Sequence, residues 1–227
     1  MGTSGLSHES LRTPTAISHR AFEKPLLIAG LLSSIAYVAI DLLSAVRYPG
    51  YSLLHQAISE LSAIGAPESS TKLWSLLGPV YGVLFVAFVV GVLRVARNNR
   101  PLRISGWCML LFAAWNMLWP LFPMHQRGTE TTSTDFVHLV VGAGSLLFIL
   151  GFIGAGGMAL GRRFRTFSLA TTLVIIGTGL GTFSYVSRIG AGAPTPWLCV
   201  VERIMIYAYL LWVAALGLAL VNRESTT

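Results

Sequence analysis

The chain is poor in charge. Lysine, arginine, aspartate and glutamate make up 11% of its 227 residues and hydrophobic residues 54%, whereas an ordinary soluble domain carries roughly 25% charged residues. With a mean hydropathy of +0.68, this scarcity excludes a water-soluble globular domain and points to an integral membrane protein. Cysteine is almost absent. Cys108 and Cys199 are the only two, which excludes a disulfide framework, and their places in different apolar runs put them at opposite depths. No strand precedes the glycines at 151, 154, 156, 157 and 161, so that run is not a nucleotide-binding loop; glycine within an apolar span serves close helix packing. No spacing of histidine, cysteine and acid matches a recognised metal signature, and no residue set names a cofactor.

What is present is a series of apolar runs, at about 26–46, 73–93, 102–122, 136–160, 167–187 and 198–221. Each is near the ~20 residues needed to cross a ~30 Å hydrocarbon core. The expected fold is all-α: a polytopic six-helix transmembrane bundle over residues 25–222, between a flexible polar tail, 1–24, and a short tail, 223–227. The first run is long enough to span and follows a polar segment, so it reads as a retained helix and not a cleaved signal.

The formal net charge is +7, yet its placement argues against a nucleic-acid partner. Arg12, Arg20 and Lys24 precede the first span, Arg94, Arg97, Arg100 and Arg103 flank the second loop, Arg162, Arg163 and Arg165 fill the fourth, and Arg223 follows the last span. The opposite side holds only Arg47, Lys72, Arg127, Arg188 and Arg203. By the positive-inside rule both termini are cytoplasmic, in the plasma (inner) membrane, with membrane lipids as the natural partners. Oligomeric state is not encoded in this pattern.

One polar stretch interrupts the apolar runs, YPGYSLLHQAISELSAIGAPESS at 48–70. Leu54, Ile58 and Leu61 fall on one side at helical spacing, His55, Ser59 and Ser62 on another, and Gln56 and Glu60 on a third. The pattern predicts an amphipathic interfacial helix between spans 1 and 2, with Ser52 as N-cap before Leu53.

Within the spans the polar residues also form stripes. Ser34, Tyr37, Asp41 and Ser44 share one side of the first, and an intramembrane acid such as Asp41 marks either a functional site or a group satisfied by a nearby Tyr or Arg. Asn116, late in the third span, requires a hydrogen-bond partner at that depth. Thr134 is the expected N-cap of the fourth span, which carries Asp135, His138, Gly142 and Ser145 on one stripe. Gly177, Gly179 and Gly181, with Thr171, Thr178 and Tyr185, predict a packed face on the fifth. Thr195 and Pro196 open the sixth, where Glu202 and Arg203 point some 100° apart and each needs a partner from elsewhere.

Asp41, Asn116, His138, Glu202 and Arg203 all fall in the outer half, as do His55, Ser59, Glu60, His125 and Asp135 near it. The cytoplasmic half has no acid or histidine. A through-going ion path needs stations across the whole thickness, so the asymmetry favours a polar pocket opening outward. Such a pocket suits an enzyme or receptor for a lipid or amphipathic anionic ligand; a structural ion-pair cluster is the bland reading, and a small-solute transporter would need a polar route past Ser34, Ser145 and Thr178. In the enzyme reading the catalytic candidates are His138 and Glu60, as proton carriers, and Ser59, as a nucleophile with His55 or His138 as base. The candidate ligand-binding residues are Arg203, for an anionic group, Glu202, Asp41, His55, His125, Asp135 and Asn116. Imidazoles and carboxylates of this set have metal-binding chemistry, but spacing assigns no site.

The segments ISELSAIGAP, LFPMHQRG, VHLVVG and ERIMIYAYLLW resemble the bacterial and archaeal membrane-protein family catalogued as domain of unknown function 998, over roughly residues 25 to 220. The resemblance implies a six-helix membrane fold whose recurring polar features are here Ser59, Glu60, Leu61, Phe122, Pro123, His138, Glu202 and Arg203. Where the family commonly has an acid after the Phe-Pro pair, this chain has His125. The resemblance supplies no activity.

Overall fold

The computed structural model describes residues 14–226, with side chains from Phe22 to Arg223. Seven α-helices follow in order: α1 (Pro14–Arg47), α2 (Glu68–Ala96), α3 (Arg100–Asn116), α4 (Ser133–Gly157), α5 (Arg162–Phe183), the short α6 (Val186–Gly190) and α7 (Leu198–Thr226). Six stretches, of 22 to 29 residues, are long and apolar enough to cross a membrane. The fold is therefore all-helical, as the apolar runs predict, and α7 corresponds to the sixth span. The helix α1 reaches back to Pro14, inside the segment expected as a tail; residues 1–13 and Thr227 lie outside the described residues.

The helices close a ring in which α1 packs on α2 and α7, α3 lies between α2 and α4, and α5 lies between α4 and α7. Of the spans, α7 is the most enclosed, with 44% of its most apolar window buried, and the α5–α6 span the least, with 11%. The centre is aromatic. Phe85 of α2 packs edge-on against Phe112 of α3 and Phe112 edge-on against Phe152 of α4, while Phe152 packs at a tilt against Trp212 of α7, with ring centroids 5.5 to 5.7 Å apart. Such pairs add about 0.5–1.5 kcal/mol beyond their area. The Trp212 indole N–H is satisfied at 2.8 Å by Ser168 on α5.

Interhelical hydrogen bonds run from side chains to carbonyls: Ser34 to Leu210, Ser105 to Phe152 and the Trp115 indole to Val141, at 2.8 to 2.9 Å. Close approach depends on particular glycines. A Cβ at Gly217 would stand 2.6 Å from the Leu27 carbonyl oxygen, and one at Gly156 would stand 2.7 Å from the Trp212 ring. The glycine-rich part of α4 thus packs closely at Gly156 and Gly157 but not at Gly154, beside which nothing lies within 4 Å. Likewise Gly177 meets no neighbour, and Thr178 bonds back to the Val174 carbonyl of its own helix. The packed face expected on α5 is therefore narrower than the glycine spacing suggests, because α5 is the most peripheral helix. Gly78 and Gly82 of α2 also have no neighbour within 4 Å of a Cβ.

The largest departure is at 48–67. The amphipathic helix expected from Leu53 is replaced by turns and a single 3-10 turn, Ile58–Ser62, with Ala57, Ile58, Glu60, Leu61 and Ala63 buried. The cause is a competition for backbone groups. In an α-helix the Ile58 N–H would donate to the Leu54 carbonyl; here it donates to the Glu202 carboxylate at 2.6 Å, and the Leu54 carbonyl accepts from the Cys199 N–H at 3.2 Å. Two further starts shift. The cap of α4 is Thr132 and not Thr134, with Asp135 reaching back to the Thr132 N–H at 2.8 Å. At the other shift, α7 starts after Trp197, which holds φ +65°, so Thr195 and Pro196 precede the helix.

Substituting Gly217 by Ala forces a Cβ onto rigid backbone and should lower stability by about 1–3 kcal/mol. Gly154→Ala, in open space, should be neutral or gain up to about 1 kcal/mol in helix propensity. Thermal unfolding of both variants in one detergent checks this; equal shifts would contradict the packing described.

Candidate functional site

The polar residues gather at the end of the bundle where α1, α3 and α5 finish and α2, α4 and α7 begin. Two fully buried acids anchor the layer. Asp41, 0% exposed, accepts a forked pair of bonds from Arg203 on α7, Nε to Oδ2 at 2.9 Å and Nη2 to Oδ1 at 2.7 Å. The Tyr207 hydroxyl adds a third bond at 2.6 Å. Arg203 and Tyr207 are four apart and so share one side of α7. The remaining guanidinium nitrogen of Arg203 meets the Cys199 sulfur, one turn earlier, and the Tyr51 ring lies 5.8 Å away.

Glu60, also 0% exposed, is clasped by Arg127 from the loop between α3 and α4, Nε to Oε1 and Nη2 to Oε2, both at 2.6 Å. Its Oε2 accepts the Ala57 N–H as well, at 2.6 Å. The same guanidinium donates to Thr195 Oγ1 at 3.0 Å and to the His55 carbonyl at 3.2 Å. Pairing with Glu60 raises the Arg127 pKa, so this cation does not titrate near neutrality. Burial likewise pushes the Tyr51 hydroxyl far above its ordinary value, and it stays a donor, 3.0 Å from the Ala57 carbonyl.

Backbone pairing completes the junction. Ile64 N–H donates to the Met124 carbonyl at 2.8 Å, Gln126 N–H to the Ile64 carbonyl at 3.2 Å, and the Gln126 side chain to the Glu60 carbonyl at 3.1 Å. The 48–67 segment is thus a folded cap, tied to the α3–α4 loop on one flank and to α7 on the other.

Glu202 differs from the other two acids. One of its oxygens takes the Ile58 N–H, the other has no hydrogen-bond partner among the described residues, and no cation pairs with it. Elsewhere in the layer, Trp74 packs between Tyr37, ring centroids 5.4 Å apart, and the small cluster of Ala45, Ile58 and Leu61. The Trp74 N–H and the hydroxyl of fully buried Ser44 are both without a partner among the described residues.

The residues singled out from sequence fall into two groups. Asp41, His55, Glu60, Glu202 and Arg203 join the network just described, and His55 is held there by its carbonyl and by the Trp197 N–H, 3.3 Å from Nδ1. Asn116, His138, His125 and Asp135 form a second group around the α3–α4 loop. His138 Nδ1 lies 2.8 Å from the Phe122 carbonyl, which only accepts, so Nδ1 carries the proton and Nε2 is the free acceptor. Its ring stands edge-on to Trp119 at 4.5 Å, and Trp119 in turn donates to Asn116 at 2.9 Å. Asp135 bonds the His125 N–H at 2.7 Å and lies 3.0 Å from its ring, leaving no pair with His138.

Ser59 makes no hydrogen bond with His55 or His138, and among the described residues no three His, Cys, Asp or Glu side chains gather as metal ligands. Sequence reasoning left Arg127 out of the site. The one partial signal lies in the charge count: few basic residues lie on that side of the chain, so a Glu60 once known to be buried has few cations to choose from.

The sequence model of the family described as Protein of unknown function (DUF998) matches residues 31–219, and the chain belongs to that family. No curated protein and no solved structure matches it.

Arg127→Ala leaves a carboxylate buried without its cation and should cost about 3–5 kcal/mol. Replacing both partners, Glu60→Gln with Arg127→Met, should recover a large part of that loss. Lys72→Ala, which breaks the exposed pair with Glu68, should leave the melting temperature unchanged. Denaturation of the three variants in parallel checks the ranking, and a similar effect from all three would contradict it.

Proposed function

We propose that this member of the DUF998 family lies in the membrane with both termini cytoplasmic, and that its outward-facing polar end binds the head group of a lipid or other amphipathic ligand. The orientation rests on the arginines. Arg94, Arg97, Arg100, Arg103, Arg162, Arg163 and Arg165 cluster at the end opposite the polar layer, on the helix ends and short loops that the positive-inside rule counts.

One observation carries the binding reading: Glu202 is the acid in the layer that has no cation, while both neighbouring arginines are matched by Asp41 and Glu60. An intramembrane carboxylate that is partly exposed, holds one backbone N–H and has no cation among the described residues is free to accept from a donor outside the chain. A head group that donates to Glu202 supplies the partner its second oxygen lacks. An anionic group on Arg203 would instead have to displace Asp41 from a forked pair, so the donor end of the ligand is the better match. The reading is binding, since among the described residues Ser59 makes no hydrogen bond with a histidine or a carboxylate.

Glu202→Gln should reduce the lipid that copurifies in mild detergent by about ten-fold, the worth of a hydrogen bond to a charged group. Mass spectrometry of extracted lipid, normalised to folded protein, reads the result. An unchanged lipid complement would overturn the proposal.

A further inference from the structure

At the arginine-rich end a groove of about 320 Å³ runs between α4 and α5, lined by Gly154, Met158, Leu169, Ser168 and Thr172 and by Arg165. Its volume lies at the low end of the about 300–1,000 Å³ typical of ligand pockets. The groove exists because α4 presents glycine there: a Cβ at Gly154 would meet nothing within 4 Å.

The electrostatics of the rim are unusual. Arg162, Arg163 and Arg165 occupy the first turn of α5, whose N-cap is Gly161 with no side-chain cap, and no acid lies in that turn. A helix N-terminus is the positive end of the dipole and favours anions, so three guanidinium groups there raise the local potential further. None of the three forms an ion pair among the described residues. Arg162 and Arg165 are three apart and so share one side of the helix.

We infer that this groove binds an anionic phospholipid, with one acyl chain laid against Gly154, Met158 and Leu169 and the phosphate held by Arg165 and Arg162 at the start of α5. The apolar floor supplies the chain's contact and the uncapped, arginine-bearing turn supplies the charge. A neutral lipid would use the floor alone. The site is independent of Glu202, which lies at the other end of the bundle.

The test uses the delipidated full chain in detergent, titrated with phosphatidylglycerol or phosphatidylcholine of identical acyl chains and read by native mass spectrometry. Phosphatidylglycerol should bind in preference, and Arg165→Gln should lower its binding roughly five-fold, the effect of about one cation near an anionic head group. Gly154→Leu, which fills open space and leaves the fold intact, should lower the binding of both lipids. Arg103→Gln, an exposed arginine on α3 at the same end, should change neither. Equal binding of the two lipids, full binding by Gly154→Leu, or the same loss from Arg103→Gln as from Arg165→Gln would each overturn the inference.

Discussion

A non-helical segment at the end of a membrane bundle must find partners for its backbone groups, and the Glu60–Arg127 pair is where that requirement is met. Glu60 lies on the 48–67 cap, Arg127 on the loop between α3 and α4, and the same guanidinium reaches Thr195 ahead of α7. One cation therefore joins three parts of the chain that are far apart in sequence. Breaking such a buried pair is costly even where forming it gains little, so its contribution lies in fixing which loops meet. The Asp41–Arg203 pair does the same one layer deeper, locking α1 to α7.

This arrangement separates the two ends of the molecule. In the polar layer, Asp41 and Glu60 are buried and matched by Arg203 and Arg127, whereas Glu202 has no cation among the described residues. Midway, the Phe85, Phe112, Phe152 and Trp212 rings fill the bundle, and Ser34 is committed to the Leu210 carbonyl. A polar route past Ser34, Ser145 and Thr178 is thus interrupted by packed aromatic surface, while Ser145 remains buried without a partner among the described residues. At the arginine end, charge sits outside the packed core. The two ends thus differ in kind, an acid with no cation partner at one and Arg162, Arg163 and Arg165 with no ion pair among the described residues at the other.

Much of this was legible from the sequence, because span length and hydropathy are local properties. So were the need of Glu202 and Arg203 for partners on other elements and the burial of Asp41. The cap was not. Its pattern of Leu54, Ile58 and Leu61 fits a helix, and only tertiary competition, Glu202 for the Ile58 N–H and Cys199 for the Leu54 carbonyl, turns it into a 3-10 turn. Periodicity cannot register a hydrogen bond made to a residue more than a hundred positions away. Arg127 escaped for a related reason: nothing in its own loop marks it as the cation of Glu60. The two-group division of the polar residues also depends on loop paths, which set His138 against Phe122 and Trp119 and not against Glu202.

The central claim is that 48–67 is a folded cap clamped by carboxylates and not a helix lying free on the membrane surface. Hydrogen–deuterium exchange of peptides covering residues 54–66, in detergent or nanodiscs, tests it most directly. Exchange of the Ala57, Ile58 and Ile64 amides as slow as that of the transmembrane helices is the predicted result, with fast exchange at Leu54. Uniform, rapid exchange across the segment would contradict the account.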